Sequence, residues 1–181
     1  MEYHSITHAA LDNKLLVGIR DIYETSFPAD ERRHFDDVVR IAGIKPAFCG
    51  DIYTEDRNVV GFILSWRFSF FRYAEHFAVR RDMRGKGYGR TIFADFMKRA
   101  GPSVVLEVQR PEDETSRRRI RFYERLGLIY SSAPYLQPPY SPDKHPVPLS
   151  LMNSGFDLDK RFDEVRNTLY REVYGVKQVS G

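Results

Sequence analysis

"RRDMRGKGYGRTIF", residues 80–93, places three glycines and five basic residues immediately before a helical pattern. The preceding segment "RYAEHFAV", residues 72–79, has the composition of a β-strand and runs directly into it. Because glycine lacks a Cβ, consecutive backbone N–H groups can converge on one point, and the helix that follows adds the positive end of its dipole. The stretch therefore predicts a strand, an anion-binding turn and a helix.

The spacing of the glycines excludes two common phosphate motifs. A P-loop requires G-x-x-x-x-G-K-[ST], which the stretch does not contain. A dinucleotide-binding G-x-G-x-x-G would need glycine where the chain has Arg90 or Ile92. A tight turn with solvated charges stays open as the plain alternative. The charges of Arg84, Lys86 and Arg90 around the turn favour a diphosphate ligand.

The composition is that of one folded domain. The chain has 181 residues, of which 42% are hydrophobic, and 13 Phe and 11 Tyr argue against global disorder. The single cysteine, Cys49, excludes an intramolecular disulfide and fits a reducing cytoplasm. No apolar run approaches the roughly 20 residues that span a bilayer, and the start lacks signal-peptide features, so we expect a cytoplasmic protein that does not bind membranes.

Hydrophobic periodicity outward from residues 80–93 predicts a mixed α+β fold around one sheet. Six of the ten prolines fall between residues 133 and 148 and predict a stiff, extended loop. The remaining elements are predicted as follows: a strand at 3–7, helices at 11–23 and 26–43, strands at 47–54 and 59–66, a helix up to 100, a strand at 103–108, a helix from an N-cap at 115 or 116, a strand at 148–152 and a helix at 157–175.

Two short motifs resemble those of one known family. Arg84-x-x-Gly87-x-Gly89 matches the [QR]-x-x-G-x-[GA] signature of the GNAT superfamily of N-acetyltransferases. The segment "RFYERLGL" is similar to the second signature of that family, with Tyr123 at its tyrosine position. The order of predicted elements over residues 3–153 also resembles the family.

The resemblance implies a central, mostly antiparallel sheet with a splayed parallel pair, flanked by helices. Residues 1–153 would form the acetyltransferase domain, and residues 154–181 would be an appended C-terminal helix and tail. Ser116 and Arg119 stand where many members of the family carry Asn and Ala. A non-catalytic acyl-CoA-binding regulatory module therefore stays open beside an enzyme.

The resemblance also implies that the cofactor is acetyl-CoA (coenzyme A). In similar proteins the glycine turn holds the pyrophosphate, and the backbone of the preceding strand pairs with the pantetheine arm. The strand residues in this role would be Phe77, Ala78 and Val79, and those of the turn would be Arg84, Gly85, Lys86, Gly87, Tyr88, Gly89 and Arg90.

Acetyl transfer to an amine requires a base for the amine proton and an acid for the departing thiolate. Glu75 is the first candidate for the base, because period-2 alternation places it on the same face of its strand as Phe77. A structural glutamate paired with an arginine is the alternative reading of Glu75. Glu107, in the apolar strand "VVLEV", is the second candidate, since a charge there needs a partner or a function.

Tyr123 is the candidate acid, because a phenol keeps its proton at neutral pH. Its alternative is a buried position in the helix stripe. We expect an N-acetyltransferase that transfers the acetyl group directly to a primary amine within a ternary complex, since Cys49 lies outside both motifs. The acceptor would be a small-molecule or peptide amine, and a homodimer stays open.

Other features predict less. The arginine-rich helix around residues 117–125 could contact an acidic partner or the 3′-phosphate of the cofactor, but a solvated face is favoured. The net charge of +3 argues against nucleic acid. His4 and His8 have no further ligands nearby, so no metal is expected. The proline-rich loop, with Tyr130, Tyr135 and Tyr140, is expected to shape the acceptor pocket.

Overall fold

The computed structural model describes residues 1–7 and 12–176. His8, considered above as a metal ligand, and Leu11, at the start of a predicted helix, lie outside these residues. Within the described residues the strands are β1 Glu2–Thr7, β2 Phe48–Glu55, β3 Asn58–Arg67, β4 Arg72–Val79, β5 Val104–Gln109, β6 Ile129–Tyr130, β7 Tyr135–Gln137 and β8 Val147–Asn153. The helices are α1 Asn13–Val17, α2 Arg20–Ser26, α3 Phe35–Ile44, α4 Tyr88–Ala100, α5 Glu114–Glu124 and α6 Leu158–Glu172, with 3₁₀ turns at Ala29–Glu31 and Arg81–Met83.

The strands form one sheet in the order β1-β2-β3-β4-β5-β8-β6, and β7 also pairs with β8. All pairs are antiparallel except β4 with β5. That parallel pair is short, because only residues 72–74 of β4 pair with residues 104–106 of β5. The predicted mixed α+β fold with one splayed parallel pair is confirmed, and the opening lies where the two strands separate.

Helices cover both faces of the sheet. One core contains the α1, α2, α3 and α6 side chains, packed on sheet residues such as Phe62 and Trp66. The other contains side chains of α4 and α5, including Phe93 and Tyr123. The C-terminal helix α6 packs on the first core through Val165 and its other apolar side chains, so it covers its own chain. No helix among the described residues is long and apolar enough to cross a membrane.

The predicted helix at 26–43 is wrong in its first half. A 3₁₀ turn ends at Glu31, the chain is extended at Arg32 and His34, and α3 begins only at Phe35. The reason is tertiary, because the Arg33 side chain between them is buried and pairs with Glu75 of β4. An α-helix through this point would compete with that contact.

Two other helix boundaries differ from the prediction. The helix predicted at 11–23 is divided at Gly18, which ends α1 before α2 begins. The N-cap of α5 is Asp113 rather than residue 115 or 116. Asp113 and Ser116 form a capping box in which each side chain bonds to the backbone N–H of the other.

Candidate active site

A β-bulge in β4 sets the geometry of the site. His76 pairs with Leu64 and Ala74 pairs with Ser65, so Glu75 has no partner on β3. A bulge interrupts the alternation of side chains. Glu75 therefore contacts Trp66 of the first core, while Phe77 packs on Phe93 of the second. The expectation that Glu75 and Phe77 share a face of the strand is wrong for this reason.

Beyond the bulge, one edge of β4 faces the opening. The backbone N–H of Arg80 donates to Val60 of β3 at 2.8 Å. Because hydrogen-bonding direction alternates along a strand, Ala78 also faces β3, whereas Phe77 and Val79 present their backbone groups to the opening. The Val79 carbonyl accepts a bond from Arg84 Nε at 2.9 Å, which agrees with this direction.

A cavity of about 740 Å³ occupies the opening between β4 and β5. One side of its lining comes from β4 and the start of α4, and the other from β5 and α5. The 3₁₀ turn after α2 and the loop before β8 contribute further residues. The predicted site residues that line it are Glu75, Phe77, Ala78, Val79, Arg84, Gly89, Glu107 and Tyr123.

The glycine turn has the backbone that an anion requires. Gly85 and Gly87 lie at φ 77° and 88°, where other residues are strained, and Gly87 is the N-cap of α4. No backbone N–H of residues 85–87 donates to another group within the described chain. The first N–H groups of α4 are also open, as in any helix. Exposed Lys86 and Arg90 add positive charge, so this donor set fits a diphosphate.

Two side chains of the turn have other contacts. Arg84 donates to the Val79 carbonyl and to Ser26 Oγ, which fixes its charge at the end of the cavity. The hydroxyl of Tyr88 donates to Glu55 of β2, so the part of Tyr88 that is open to a ligand is its backbone. A Cβ at Gly89 would lie 3.8 Å from the rings of Phe77 and Phe122.

Glu75 is held in a buried ion pair. Its side chain is 1% exposed, and its oxygens accept bonds from Arg33 Nε at 3.1 Å and Trp66 Nε1 at 2.6 Å. Burial acts to raise the pKa of Glu75, but the charge of Arg33, with His76 and the Trp66 bond, lowers it below the ordinary value. Both oxygens of Glu75 thus have partners within the protein.

Glu107 lies just past the last residue of β5 that pairs with β4, and it has no basic partner in the described chain. Its carboxylate accepts bonds from the hydroxyls of Tyr135 and Tyr174. Burial raises the pKa of Glu107 to about 7, although these hydroxyls act to lower it. A carboxyl with such a pKa can take up a proton near neutral pH.

Tyr123 is buried in the second core and lines the cavity. Its ring contacts Phe93 and Phe122, each at a centroid distance of 5.1 Å. Its hydroxyl bonds to no other group of the described chain. Burial raises the pKa of Tyr123 to about 12, and Arg119 acts in the opposite direction. The phenol therefore keeps its proton at neutral pH.

His76 was not singled out from the sequence, yet it lines the cavity between Phe27 and Tyr140. Its Nε2 lies 3.0 Å from the Glu31 carbonyl, which can only accept, so Nε2 carries the proton. Burial lowers the pKa of His76, which leaves Nδ1 as a buried acceptor without a partner in the described chain. The position of His76 at the cavity depends on the bulge in β4, and no local sequence pattern predicts that bulge.

The proline-rich loop reaches the cavity through some of its side chains and not through others. Tyr140 lines the cavity, and Tyr135 bonds to Glu107. The hydroxyl of Tyr130 instead pairs with Ser150 at 2.8 Å, and Tyr130 does not line the cavity. Gln137 of the same loop lines it and was missed.

The arginine-rich helix α5 has two different faces. Arg118 and Arg119 line the cavity. Arg117 and Arg121 pair with Glu114 on the exposed side. One face thus adds positive charge to the site, and the other is the solvated face that the sequence favoured. Among residues 1–7 and 12–176, no group of three His, Cys, Asp or Glu side chains is placed to hold a metal ion.

Comparison with known proteins defines the class. The sequence pattern of the acetyltransferase (GNAT) family matches residues 16–128, which is more than half of the chain. The chain therefore belongs to this family and is an N-acetyltransferase, and the resemblance of its two motifs is confirmed. Proteins of this fold use acetyl-CoA.

Individual relatives agree. A chain from Bacteroides thetaiotaomicron, assigned to the GNAT acetyltransferases, is 32% identical, with a TM-score of 0.89 over 98% of this chain and 100% of its own length. YjbC of Bacillus subtilis, assigned as an acetyltransferase, is 34% identical over 77 residues, which are 41% of this chain and 40% of YjbC. An aminoglycoside 6′-N-acetyltransferase solved with coenzyme A shares the fold at 14% identity and a TM-score of 0.61, over 85% and 96% of the two chains.

Proposed function

We propose that the protein transfers an acetyl group from acetyl-CoA directly to a primary amine, within a ternary complex of both substrates. The observation that carries the proposal is one cavity lined by Arg84 and Gly89 at the glycine turn and by Glu107 and Tyr123 at the split between β4 and β5. Acetyl-CoA, when bound, supplies the thioester carbonyl that the amine attacks.

The cofactor-binding residues act mainly through their backbone. Amides from Gly85 to Gly89, with the dipole of α4, would bind the pyrophosphate, and Lys86 and Arg90 would add charge. Phe77 and Val79 direct their backbone groups at the opening and would hold the pantetheine arm, whereas Ala78 would serve only as part of the wall.

Two positive side chains on α5 complete this half of the cavity. Arg118 and Arg119 line it, and the Arg119 guanidinium is held by Gln109 at 3.2 Å. They suit an anionic group of the cofactor. This is the reading that the sequence left open beside a solvated face.

Glu107 is the preferred base. It takes the amine proton directly or through one water, because its pKa near 7 allows it to be ionised at neutral pH and still accept a proton. Glu75, the first choice from the sequence, is the weaker candidate. Its carboxylate is paired with the charged Arg33, and its lowered pKa makes it a poor proton acceptor.

Tyr123 is the proposed acid. Tyr123 lines the cavity, its hydroxyl has no partner in the described chain, and the raised pKa keeps its proton in place at neutral pH. Tyr123 would donate that proton to the departing thiolate. A covalent relay is not required, since the buried Cys49 lies on β2 and does not line the cavity.

The acceptor is proposed to be a small-molecule or peptide amine. The acceptor half of the cavity would be the part lined by Phe27, Glu31 and Tyr140, away from the glycine turn. A cytoplasmic location, the absence of nucleic-acid and membrane binding, and a homodimer stay predictions from the sequence.

The test is a steady-state assay of free-thiol release from acetyl-CoA across a panel of primary amines. When the concentrations of both substrates are varied, direct transfer predicts intersecting lines in a double-reciprocal plot of the initial rate. Parallel lines would indicate an acetylated enzyme and contradict the ternary complex. Absence of amine-dependent release with every class of acceptor would contradict the proposed reaction.

A further inference from the structure

The segment that follows α6 contacts Glu107, which lines the active-site cavity. The hydroxyl of Tyr174 lies 2.9 Å from Oε1 and 2.8 Å from Oε2 of Glu107. Tyr135, from β7, donates to the Oε1 atom of the same carboxylate. Both tyrosines lie beyond residue 128, where the match to the family pattern ends. These two hydroxyl donors to Glu107 therefore come from the part of the chain outside that match.

A second contact holds this segment in place. Arg33 donates through Nη2 to the Val173 carbonyl at 2.5 Å, and through Nε to Glu75. The Arg33 guanidinium also lies 4.6 Å from the centre of the Tyr140 ring. Since Val173 precedes Tyr174, the buried ion pair of Arg33 and Glu75 fixes the backbone from which Tyr174 reaches Glu107.

We propose that Tyr174 is a positioning residue for acetyl transfer, and that the C-terminal segment is thereby a working part of the site. The inference rests on the proposed role of Glu107 as the base. A donor shared by both oxygens fixes the plane of the carboxylate and leaves its remaining lone pairs for the amine. It also favours the ionised form, which is the form that accepts a proton.

Other groups face Glu107 from the elements packed around it. Phenols are uncharged at neutral pH. Among the described residues, Glu75 is therefore the one neighbouring group that carries a negative charge like that of Glu107. The charge of Glu75 is compensated by Arg33. The full set is Tyr73 and Glu75 from β4, Tyr135 from β7, Tyr140 from the loop before β8, and Tyr170 and Tyr174 from the C-terminal segment.

The test compares two substitutions in the full chain. Tyr174→Phe removes the hydroxyl that bonds to Glu107 and keeps the ring. Tyr170→Phe is the matched control, because it removes a hydroxyl from the last turn of α6 that bonds to the Leu136 carbonyl instead. Tyr135→Phe removes the other donor to Glu107, and it replaces Tyr174→Phe if that variant does not fold.

Two measurements are made on each variant. The first is the titration of the Glu107 carboxyl, followed by ¹³C NMR and assigned with Glu107→Gln. The second is the pH profile of kcat/KM for a working amine. Tyr174→Phe is expected to raise the midpoint of the titration by about one pH unit, because a bond to the ionised form is lost. The acid limb of the profile should move with it, and activity should recover at higher pH.

Each outcome decides the inference. A midpoint that moves in Tyr174→Phe together with the acid limb, and in Tyr170→Phe not at all, supports it. An unmoved midpoint overturns the role of Tyr174, whatever the activity. A midpoint that moves while the profile stays in place overturns the catalytic part, and shows that the choice of Glu107 as base is the step that failed. An active Glu107→Gln enzyme would identify the same failure independently.

Discussion

At the residue scale, Tyr123 separates a catalytic role from a structural one. Tyr123→Phe keeps the ring contacts with Phe93 and Phe122. Because the hydroxyl has no partner in the described chain, the variant should lose at most about 1 kcal/mol of unfolding free energy. If the hydroxyl is the acid, kcat should fall by roughly 10²-fold or more, the usual scale for such a group. Thermal melting and kcat on one preparation test this.

The cofactor provides the control for Tyr123. Affinity for coenzyme A should change little, since the hydroxyl acts mainly as charge develops on sulfur. A Phe variant that is stable and fully active would remove Tyr123 from the mechanism.

Glu107 and Glu75 make a matched pair of substitutions. Glu107→Gln should lower kcat strongly without destabilising the fold, because it replaces a carboxyl without a basic partner. Glu75→Gln should cost about 3 kcal/mol of stability, because it leaves the buried Arg33 charge without its counterion. Turnover and urea denaturation of both variants check this contrast.

The reverse pattern would return the role of base to Glu75. In that case Glu75→Gln would lose turnover most strongly at low pH and keep its stability, and Glu107→Gln would remain active. Coenzyme A binding by both variants serves as the control for a folded site.

Both candidate bases, Glu75 and Glu107, were identified from the sequence. Glu75 was preferred because of the strand face predicted for it, and the bulge changes that face. Alternation along β4 predicted Glu75 beside Phe77, and one unpaired residue turned Glu75 into the opposite core. The partner of Glu75, Arg33, lies in the charged run "DERRHF", which reads as exposed helix. Tertiary contacts that reverse a local pattern in this way have no signal in a single sequence.

At the element scale, the glycine turn is the part of the site that its own sequence encodes most fully. Gly87→Glu should abolish the rise in melting temperature that coenzyme A produces, because a side chain and a negative charge would enter the phosphate site. Gly127→Glu is the matched control. It also sits at positive φ, 90° against 88°, and a side chain there would meet nothing within 4 Å, but it follows α5 and lies outside the glycine turn.

Comparison of the two variants removes backbone strain from the interpretation. Both should melt below the wild-type protein, since a side chain at positive φ costs about 1–2 kcal/mol. Only Gly127→Glu should still gain stability from coenzyme A. A ligand-induced shift that persists in Gly87→Glu would mean that the pyrophosphate binds elsewhere.

Elements with strong local signals were predicted well, and those shaped by contacts were not. The strand, glycines and helix of residues 72–100 were predicted because each has its own pattern and the glycines mark the boundary. The helix predicted at 26–43 failed at Arg33, where a buried ion pair outweighs helical propensity. The capping box of Asp113 and Ser116 could have been read from the sequence, and the N-cap was placed too late.

At the scale of the whole molecule, the appended C-terminal segment is the least predictable part. The sequence gives α6 through its periodicity, but not the return of Tyr174 to a residue 67 positions earlier. The division into residues 1–153 and 154–181 stays a prediction. The contact between Tyr174 and Glu107 argues that the two parts share one site, because one contributes the carboxylate and the other a donor to it.

The burial of Glu107 should make the unfolding free energy of the protein depend on pH. Its pKa is raised by burial, so the native state holds this proton up to about pH 7, while the unfolded chain releases it near the ordinary glutamate value. Between those limits the native state binds more protons, and its stability must fall as pH rises. Above about pH 7 both states are ionised and the loss is complete.

Two other buried groups act in the opposite direction. The pKa of Glu75 is lowered, so its contribution is present above the ordinary glutamate value and is lost as pH falls through the lowered one. The pKa of His76 is also lowered, so the unfolded chain takes up a proton below its ordinary value and the native state is again destabilised by acid. The pH dependence of the wild-type unfolding free energy alone would therefore combine contributions of opposite sign.

The difference between the wild-type protein and Glu107→Gln isolates the contribution of Glu107. Urea denaturation of both proteins from pH 4 to pH 8 should show the variant gaining on the wild type from about pH 5 to about pH 7 and staying level above it, because Gln resembles the protonated carboxyl and does not ionise. Both proteins retain Glu75 and His76, so the contributions of these two groups cancel to first order in the difference of unfolding free energies. A difference that does not change with pH would mean that Glu107 titrates alike in the folded and unfolded chains. The carboxyl would then lack the raised pKa on which its choice as the base depends.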